Sequence, residues 1–331
     1  MMKRRIFQLC TALALWISLS ASAETVVLAV PGPGTLSYLP VYLAKSIAAD
    51  QAEGLQLKLR YFSGGPLAMR DLIDNNSDFL AIGLPAIAAG RAAGKPVIAI
   101  GQLSQAAMYV FLLRRNLKNQ VHSIAQLRGR RIGTTSGTAS ERSMGYMMAE
   151  YLIRRAGLKS NDVQMISTGQ NRTEQSAGLT SASVDALIGD EPFATELVDR
   201  GVAVRLADLY VPEQSRKLFG GAIVHAALAT REDVYTQHPD TVKKVQRMFD
   251  RTLRWLSTHS ARSVADALAG QPGFDAARSK MLVKILERDR GMFTNRIAWD
   301  EKAVATTEEF FHAEADKPAE SNLSFGSFIR N

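Results

Sequence analysis

The sequence predicts an α/β protein built from two similar lobes, each a mixed sheet flanked by helices. The first observation is a pattern of Leu, Asp and Pro around a short apolar run, which occurs over 72–85 and again over 179–192. The second is that strand-like and helix-like segments alternate around both copies of this pattern. The third is a strand-like run at 220–229, after the second copy, which returns the chain to the first lobe. Two facing lobes form a cleft, and clefts bind ligands.

Each copy of the repeat contains a helix end, a polar turn, an Asp, a buried strand and a Pro. The matched positions are Leu72 with Leu179, Asp78 with Asp185 and Pro85 with Pro192, all at an offset of 107 residues. Upstream, the strand-like runs 55–59 and 162–166 also correspond, and each leads into a polar turn. A whole strand–helix–strand unit is therefore predicted to occur twice. The alternative is a chance similarity between two such units.

The first lobe begins with a β-branched, apolar run over 24–30, which predicts a buried strand. The segment 31–34 alternates Pro and Gly and ends this strand. Pro40 then suits the first turn of a helix that continues to Ile47. The later elements predicted in this lobe are a strand over 55–62, a helix over 68–73, a strand over 79–82, a helix over 86–93 and a strand over 96–100. A further strand over 109–113 is expected to leave the lobe.

The second lobe begins its sheet with a strand over 131–134. Thr138 and Glu141 are spaced as in a capping box, which predicts a helix from here through Leu152. Gly157 ends that helix. The remaining predicted elements are a strand over 163–166, a helix near Gly178, and strands over 186–188 and 202–206.

The C-terminal third is predicted to be helical and to return to the first lobe. Pro239 begins a helix in which apolar residues recur with helical spacing. These residues are Val242, Val245, Phe249, Leu253 and Leu256. The predicted domains are a signal peptide over 1–23, lobe I over 24–112 and 226–331, and lobe II over 113–225. The two crossings between the lobes predict a hinge that closes around a ligand.

The N-terminus has the pattern of a secretory signal peptide. A basic segment, Lys3-Arg4-Arg5, precedes a mostly apolar run over 6–19, and small residues follow at 21–23. We therefore predict an exported, periplasmic protein that is cleaved after Ala23. The alternative is an uncleaved anchor helix, but the apolar run is shorter than the roughly 20 residues that span a bilayer.

The composition excludes several classes of site. Cys10 is the one cysteine and lies in the predicted signal peptide, so the mature chain would have no disulfide and no thiol nucleophile. The formal net charge is +8, but the basic residues are dispersed rather than interleaved with aromatic residues, which argues against nucleic-acid binding. The five histidines show no zinc-binding spacing, and the sequence has no complete dinucleotide or phosphate loop. We expect no catalytic residue, no metal and no cofactor.

Short motifs along the mature chain occur in the order typical of one protein family. They are Pro40–Lys45, Glu53–Leu55, Ala81–Gly83, Gly94–Val97, Leu127–Gly133, Gly157-Leu158 and Val184–Ala186. In these motifs the chain resembles periplasmic solute-binding proteins of ABC importers, of the nitrate/sulfonate/taurine and thiamine-precursor-binding type. The resemblance implies a two-lobed periplasmic-binding-protein type II fold with a two-crossing hinge. It also implies a monomer that delivers a small solute to a membrane ABC permease.

The ligand is expected where strand ends and helix starts from both lobes converge. The candidate binding residues are Ser37, Tyr38, Gly64, Leu84, Ser136, Gly137, Thr138, Asp190 and Glu191. The turn over 135–138 precedes the predicted capped helix, so its N–H groups and hydroxyls could cradle an anion. The alternative for this turn is an ordinary capped helix. Tyr38 offers a flat apolar face and a hydroxyl, or it packs over the first helix.

Asp190 and Glu191 form a carboxylate pair at a predicted strand end. One of them could bind an amine or a ring N–H of the solute, or the pair could lie in a solvated loop or a hinge salt bridge. If Glu191 faces the cleft, a pure anion such as nitrate is a poor ligand. A zwitterion or an aminopyrimidine-like compound is then a better one.

The sequence therefore predicts an exported receptor that captures a small organic solute (a sulfonate, or a taurine-like or aminopyrimidine-like compound) by hinge closure. One alternative is a periplasmic ligand sensor that signals to a membrane partner. Another is an enzyme on the same fold, for which Asp190 and Glu191 are the candidate acid–base pair.

Overall fold

The computed structural model describes residues 23–138, 141–288 and 290–331. Apart from Ala23, the predicted signal peptide over 1–23 lies outside the described residues. No helix in the described part of the chain is both long and apolar enough to cross a bilayer.

The described residues form two five-stranded mixed sheets. The strands are β1 (Glu24–Pro31), β2 (Leu55–Phe62), β3 (Phe79–Gly83), β4 (Val97–Gln102), β5 (Tyr109–Arg114), β6 (Arg131–Thr134), β7 (Gln164–Ser167), β8 (Ala186–Asp190), β9 (Ala203–Asp208) and β10 (Ala226–Arg231). The first sheet has the order β2-β1-β3-β10-β4, and the second has the order β7-β6-β8-β5-β9. The central parallel strands are β1 and β6, while β10 and β5 run antiparallel to their neighbours. The predicted fold class is therefore confirmed.

Each sheet is completed by an antiparallel strand from a distant part of the chain. Strand β5 follows the first sheet in the sequence but pairs with β8 and β9, and β10 follows the second sheet but lies between β3 and β4. The chain thus crosses between the sheets over 103–108 and again over 209–225. The predicted boundary after residue 112 falls inside β5. Because Tyr109 pairs with Asp190, residues 109–112 belong to the second sheet, and the first crossing comes earlier than predicted.

Helices cover both sheets. They are α1 (Leu39–Ser46), α2 (Gly65–Ile73), α3 (Leu84–Ala92), α4 (Met144–Arg155), α5 (Arg172–Thr180), α6 (Phe193–Asp199), α7 (Pro212–Phe219), α8 (Glu232–Gln237), α9 (Pro239–Thr258), α10 (Ala261–Leu268), α11 (Ala276–Arg288), α12 (Glu301–Ala313) and α13 (Pro318–Ser321). Pro stands in the first turn of α1, α3 and α9, among others, where its missing N–H removes no helical hydrogen bond. The helices predicted from Pro40 and Pro239 are confirmed.

The repeat predicted from the sequence is present in the structure. Helices α2 and α5 begin and end 107 residues apart, and so do strands β3 and β8. Asp78 accepts a hydrogen bond from the Val27 N–H at 2.8 Å, and Asp185 accepts one from the Arg131 N–H at 3.1 Å. Each repeated Asp therefore ties the start of β3 or β8 to the neighbouring strand, β1 or β6. This shared role explains why Asp recurs at the same place in both copies.

Helix α4 begins later than predicted. It starts at Met144, and the Ser143 Oγ caps it by accepting a hydrogen bond from the Tyr146 N–H at 3.1 Å. The capping box predicted at Thr138 and Glu141 is therefore wrong as the start of a helix.

A tight loop occupies the place of the predicted helix start. Thr138 Oγ1 accepts a hydrogen bond from the Glu141 N–H at 3.2 Å, and the backbone of Gly137 pairs with that of Arg142. Gly137 has a φ of +96°, and a Cβ placed on it would lie 2.6 Å from the Glu141 carbonyl O, so the loop requires glycine here. Residues 139–140 of this loop lie outside the described ones.

The C-terminal segment completes lobe I. Helix α9 buries the apolar stripe predicted for it and packs against α1. The final residues extend the first sheet beside β4, because the Ala99 N–H donates to the Phe328 carbonyl O and the Arg330 N–H donates to the Ala99 carbonyl O, each at 2.9 Å. Phe325 and Phe328 are fully buried and anchor this segment.

Candidate functional site

The loops at the strand ends of the two sheets are in direct contact. A Cβ atom placed on Gly64 would lie 1.9 Å from Ser136 Oγ, so the backbone of lobe I touches a side chain of lobe II. The Ser63 Oγ donates a hydrogen bond to Glu174 Oε1 at 3.0 Å. The carboxyl ends of the parallel strands therefore meet, which is the arrangement that forms ligand clefts in α/β folds.

An open groove of about 610 Å³, the interlobe groove, lies between these loops. Pro66 and Leu67 are among the residues that line its lobe I side. The lobe II side carries polar groups that include Ser136, Gly137, Thr138, Thr168, Glu141 and Glu174. Glu141 and Glu174 are its charged lining residues, and no Lys or Arg is among the lining residues that the structure describes. The groove is therefore acidic.

Two polar atoms at the interlobe groove are buried and lack a hydrogen-bond partner among the described residues. They are Ser136 Oγ and Glu174 Oε2. A buried polar group without a partner costs about 1–3 kcal/mol. Ser136 Oγ is packed against Gly64 and Glu174 Oε2 against Gly169, because a Cβ placed on either glycine would lie 1.9 Å from that oxygen. A solute would reach these two atoms when the loops separate, and the groove beside them is the candidate recognition site.

A buried polar cluster, which we call the inner cluster, lies where the two lobes meet. It consists of Ser37, Tyr38, Tyr109, Gln170, Asp190 and His225. The Asp190 carboxyl accepts hydrogen bonds from Gln170 Nε2 and Gln175 Nε2, each at 3.1 Å. His225 Nε2 lies 3.0 Å from Ser37 Oγ, and the His225 ring packs edge-on against Tyr109 with centroids 5.0 Å apart. Residues of both lobes thus contribute to the cluster. Tyr109 and His225 stand where the two crossings end.

Burial sets the charge state of the inner cluster. It raises the pKa of the Asp190 carboxyl to about 8, although side-chain hydrogen bonds oppose the shift. It lowers the pKa of His225 to about 3 and raises the pKa of the Tyr38 and Tyr109 hydroxyls well above their usual range. At neutral pH the groups of the cluster are therefore largely uncharged.

Replacing Asp190 by Asn is expected to flatten the pH dependence of stability. The pKa of this carboxyl is raised in the folded state. Its contribution to the free energy of unfolding is therefore full below about pH 4 and is lost as the pH rises through 8. Asn does not ionise, so Asp190→Asn should lose less stability than the natural protein between pH 5 and pH 9. Urea denaturation over this range measures the difference, with the exposed Asp74→Asn as a control. Parallel stability curves for Asp190→Asn and the natural protein would contradict a neutral Asp190.

The structure brings most of the predicted site residues together. Ser37, Tyr38 and Asp190 belong to the inner cluster, and Gly64, Ser136, Gly137 and Thr138 lie at the interlobe groove or its contacting loops. Leu84 is fully buried, and its N–H donates to the His225 carbonyl O at 3.0 Å. Leu84 therefore supports the cluster rather than facing the groove. The binding roles of the other residues stay predictions.

The carboxylate of Glu191 is used within its own lobe. It accepts hydrogen bonds from the Thr195 N–H at 3.0 Å and the Thr195 Oγ1 at 2.7 Å, and Arg205 Nη2 lies 3.5 Å away. The carbonyl O of Glu191 accepts a hydrogen bond from the Leu36 N–H of the other lobe at 2.6 Å. Three alternatives were left open for Glu191: a solute contact, a solvated loop and a hinge salt bridge. Its contact with Arg205, beside the meeting of the lobes, agrees with the salt bridge. The buried, unpartnered carboxylate oxygen at the groove belongs to Glu174.

The start of α4 is not an open anion cradle. The Ser143 Oγ donates a hydrogen bond to the Ser136 carbonyl O at 2.5 Å. A Cβ placed on Gly145 would lie 2.3 Å from Thr135 Oγ1, so Thr135 and Ser143 cover the first turn of the helix. Residues 136–138 line the groove as a loop that precedes the helix, rather than as its first turn.

Sequence reasoning missed several residues of this site. Glu174 corresponds through the 107-residue offset to Leu67, which lines the opposite wall of the groove. Gln170 corresponds in the same way to Ser63. The repeat could therefore have identified both residues. Tyr109 and His225, at the ends of the crossings, lie outside the repeat, so the repeat could not have identified them.

A protein-family model described as NMT1/THI5 like matches residues 37–262, which is more than half of the chain. The protein YtlA of Bacillus subtilis (strain 168), named as a candidate binding protein, is 24% identical over 260 residues. This match covers 77% of the present chain and 72% of YtlA.

Solved structures of similar proteins share the fold. A protein of Bordetella bronchiseptica RB50 matches with a TM-score of 0.84 and 20% identity, over 94% of this chain and 95% of that one. The alkanesulfonate-binding protein SsuA of Xanthomonas axonopodis pv. citri, bound to MOPS, has a TM-score of 0.71 and 18% identity, over 93% and 99% of the two chains. A Candida albicans gene product with the generic periplasmic binding protein fold has a TM-score of 0.71 and 16% identity, over 93% and 96%. The chain therefore belongs to the NMT1/THI5-like family and has the periplasmic-binding-protein fold.

Proposed function

We propose that this chain is the extracytoplasmic solute-binding component of an ABC importer, and that the interlobe groove captures a small organic solute. The observation that carries the proposal is the pair of buried, unpartnered atoms, Ser136 Oγ and Glu174 Oε2, beside the meeting loops of the two lobes. Family membership and the names of YtlA and SsuA support a binding function. The predicted signal peptide supports export to the periplasm, and a membrane permease is the expected partner of a monomeric receptor.

The charges at the groove favour a solute with an N–H donor. Glu174 would repel a small anion such as nitrate, whereas the charge of Glu141 is offset by Arg70 at 3.2 Å. A protonated amine or a ring N–H would instead pair with Glu174. The hydroxyls of Ser136 and Thr138 could meet a sulfonate oxygen of the same solute. A taurine-like zwitterion or an aminopyrimidine-like compound therefore fits better than a simple alkanesulfonate.

Hinge closure is the proposed mechanism of capture. The crossings at 103–108 and 209–225 join the lobes, and the contact of Gly64 with the other lobe is of the kind that closure makes. Capture involves no covalent chemistry. An enzyme on this fold would need a free acid–base pair, whereas Asp190 and Glu191 are each engaged by side chains of lobe II.

A thermal-shift panel on the chain from residue 24 tests the solute class. Taurine is compared with ethanesulfonate, which lacks only the amine, and with nitrate and 4-aminopyrimidine. A solute at a hundred times its Kd adds about 2.7 kcal/mol to the free energy of unfolding. We expect stabilisation by taurine or the aminopyrimidine and none by nitrate. Equal stabilisation by taurine and ethanesulfonate would contradict the proposed role of the amine.

Glu174→Gln is expected to weaken binding of the amine-bearing solute by about tenfold, because a charged hydrogen bond is replaced by a neutral one. The affinity for ethanesulfonate should not fall, because the variant removes a like charge. Calorimetric titration measures both affinities. Glu213→Gln is the control, since Glu213 is an exposed acid on α7 that pairs with Lys217 at 3.0 Å, away from the groove. An unchanged affinity of Glu174→Gln for the amine-bearing solute would exclude Glu174 as its partner.

A further inference from the structure

A second cavity lies next to the interlobe groove. Its volume is about 170 Å³, and Pro66 and Glu141 line both spaces. An engineered apolar cavity of about 150 Å³ binds benzene. The second cavity therefore has room for a ring or a short alkyl chain.

The wall of this cavity is apolar and comes from lobe I. Ala86, Ala89 and Gly90 of α3 present no side chain beyond Cβ, and Met69 and Ile82 add larger apolar groups. A Cβ placed on Gly90 would lie 3.0 Å from Met69 Cε, so a larger residue there would crowd α2. The small residues of α3 thus create the space.

The rim of the cavity carries two cations that lack partners. Lys95 follows α3, and Lys317 precedes α13. Neither ammonium group forms an ion pair or a hydrogen bond with a residue that the structure describes. The Lys95 stem lies on the helix, with its Cδ 3.6 Å from the position of a Cβ on Gly90. Both charges are therefore available to a bound group.

The other charged residues that line the cavity form ion pairs, and Arg142 contacts Asp316 at 3.2 Å as well as Glu320. Glu141 pairs with Arg70 at 3.2 Å, and Arg142 pairs with Glu320 at 2.5 Å. Lys95, Arg142 and Lys317 are the basic lining residues and Glu141 and Glu320 the acidic ones, so the lining has a net charge of +1. This is the opposite of the acidic interlobe groove, so the two spaces should select different compounds.

We propose that this cavity is a second ligand site, specific for an amphiphilic monoanion. Such a compound is a carboxylate or sulfonate whose apolar body is no larger than a benzene ring or a hexyl chain. Its body fills the apolar space beside α3, and its head group lies between Lys95 and Lys317. The proposal does not depend on what the interlobe groove binds.

Three separate parts of the chain form the site. Helices α2 and α3 belong to lobe I, Glu141 and Arg142 belong to lobe II, and Lys317 belongs to the C-terminal segment. A bound anion therefore favours the arrangement in which these parts are together. Its binding and solute capture in the groove would be thermodynamically linked.

Calorimetric titration of the chain from residue 24 tests the site with three probes. Hexanoate has the tail and the charge, acetate has the charge alone, and hexanamide has the tail alone. We expect saturable binding of hexanoate with a Kd on the order of 1 mM or tighter, and at least about tenfold weaker binding of the other two. Equal affinities for hexanoate and acetate, or no saturable binding of hexanoate below about 10 mM, would overturn the proposal.

Two variants remove the two features of the site separately. Ala89→Leu fills the apolar space, and the double variant Lys95→Gln/Lys317→Gln removes the charge. Each should weaken hexanoate binding by at least about tenfold. The control is Lys58→Gln, which removes an exposed lysine of β2. Circular dichroism checks that Ala89→Leu folds. The double variant Lys95→Gln/Lys317→Gln tests the site independently of that result.

The groove and the second cavity are distinguished by competition. Hexanoate affinity should be the same in Glu174→Gln as in the natural protein, and excess taurine should not displace hexanoate. Displacement by taurine would place hexanoate in the groove and overturn the second site. Unchanged hexanoate binding in both cavity variants would overturn it as well.

Discussion

Replacing Arg142 by Met is expected to lower the free energy of unfolding by about 3–5 kcal/mol, because it leaves buried charges unpaired. The Arg142 side chain is only 2% exposed. Its guanidinium donates to the Glu314 carbonyl O and to Glu320 Oε2, each at 2.5 Å, and to Asp316 Oδ2 at 3.2 Å. These bonds connect lobe II to the C-terminal segment of lobe I. The variant should therefore also weaken the contact between the lobes.

The stability loss of Arg142→Met should shrink at low pH. Burial raises the pKa of Glu314 to about 7 and also raises the pKa of Glu150, while the charge of Arg142 opposes both shifts. Without Arg142 both carboxyls bind protons more strongly. A carboxyl with a raised pKa favours the folded state at low pH, and this contribution is lost as the pH rises through that pKa. The loss at pH 8 should therefore exceed the loss at pH 5.

Urea denaturation at the two pH values measures both effects. Arg70→Met is the matched control, because the Arg70–Glu141 pair also joins the lobes but its side chains are 57% and 44% exposed. An exposed pair contributes about 0–1 kcal/mol. Equal losses for Arg142→Met and Arg70→Met would show that the buried network contributes no more than a surface ion pair.

Replacing Gly64 by Ala is expected to reduce solute affinity by at least about 100-fold, which corresponds to about 2.7 kcal/mol. The added Cβ would lie 1.9 Å from Ser136 Oγ and 2.3 Å from Ser136 Cβ, so the lobes could not reach the arrangement seen here. The backbone of Gly64 is extended, with a φ of 165°, so alanine introduces no local strain. The variant should therefore fold normally and fail only in closure.

The neighbouring residue provides the control for this prediction. A Cβ on Gly65 would lie 3.6 Å from Ile82 Cγ2, which is ordinary contact, so Gly65→Ala should bind normally. The double variant Gly64→Ala/Ser136→Gly removes the overlap and should recover part of the affinity. Calorimetric titration with the solute found in the thermal-shift panel measures all three. Normal affinity of Gly64→Ala would mean that binding does not require this contact of the lobes.

The repeat shows how much of the fold could be predicted from the sequence. The 107-residue offset correctly matched β3 with β8 and α2 with α5, because strand and helix signals are local and the repeated Asp has the same backbone partner in each lobe. The sheet to which β5 belongs was harder to predict. Its apolar pattern indicates a strand, but nothing in the strand itself specifies that its partners are β8 and β9.

Most of the predicted site residues lie close together in the structure, and their binding roles stay predictions. Thr138 has a side chain suited to capping, yet the backbone pairing of Gly137 with Arg142 delays the helix to Met144. Glu191 was a candidate to face the solute, but Thr195 is near enough to bind its carboxylate. In both cases a specific contact decided between alternatives that the residue types had left open.

The two-lobed α/β fold, the double crossing of the chain and the strand ends at which the lobes meet could all be predicted from the sequence alone. These features follow from hydrophobic periodicity, turn residues and an internal repeat, all of which can be recognised in short segments. The position of Glu174 at the groove and the burial of His225 and Asp190 in one cluster could not be predicted in this way. Those placements depend on how loops distant in the chain pack together, and burial then sets the pKa values of the groups that meet there.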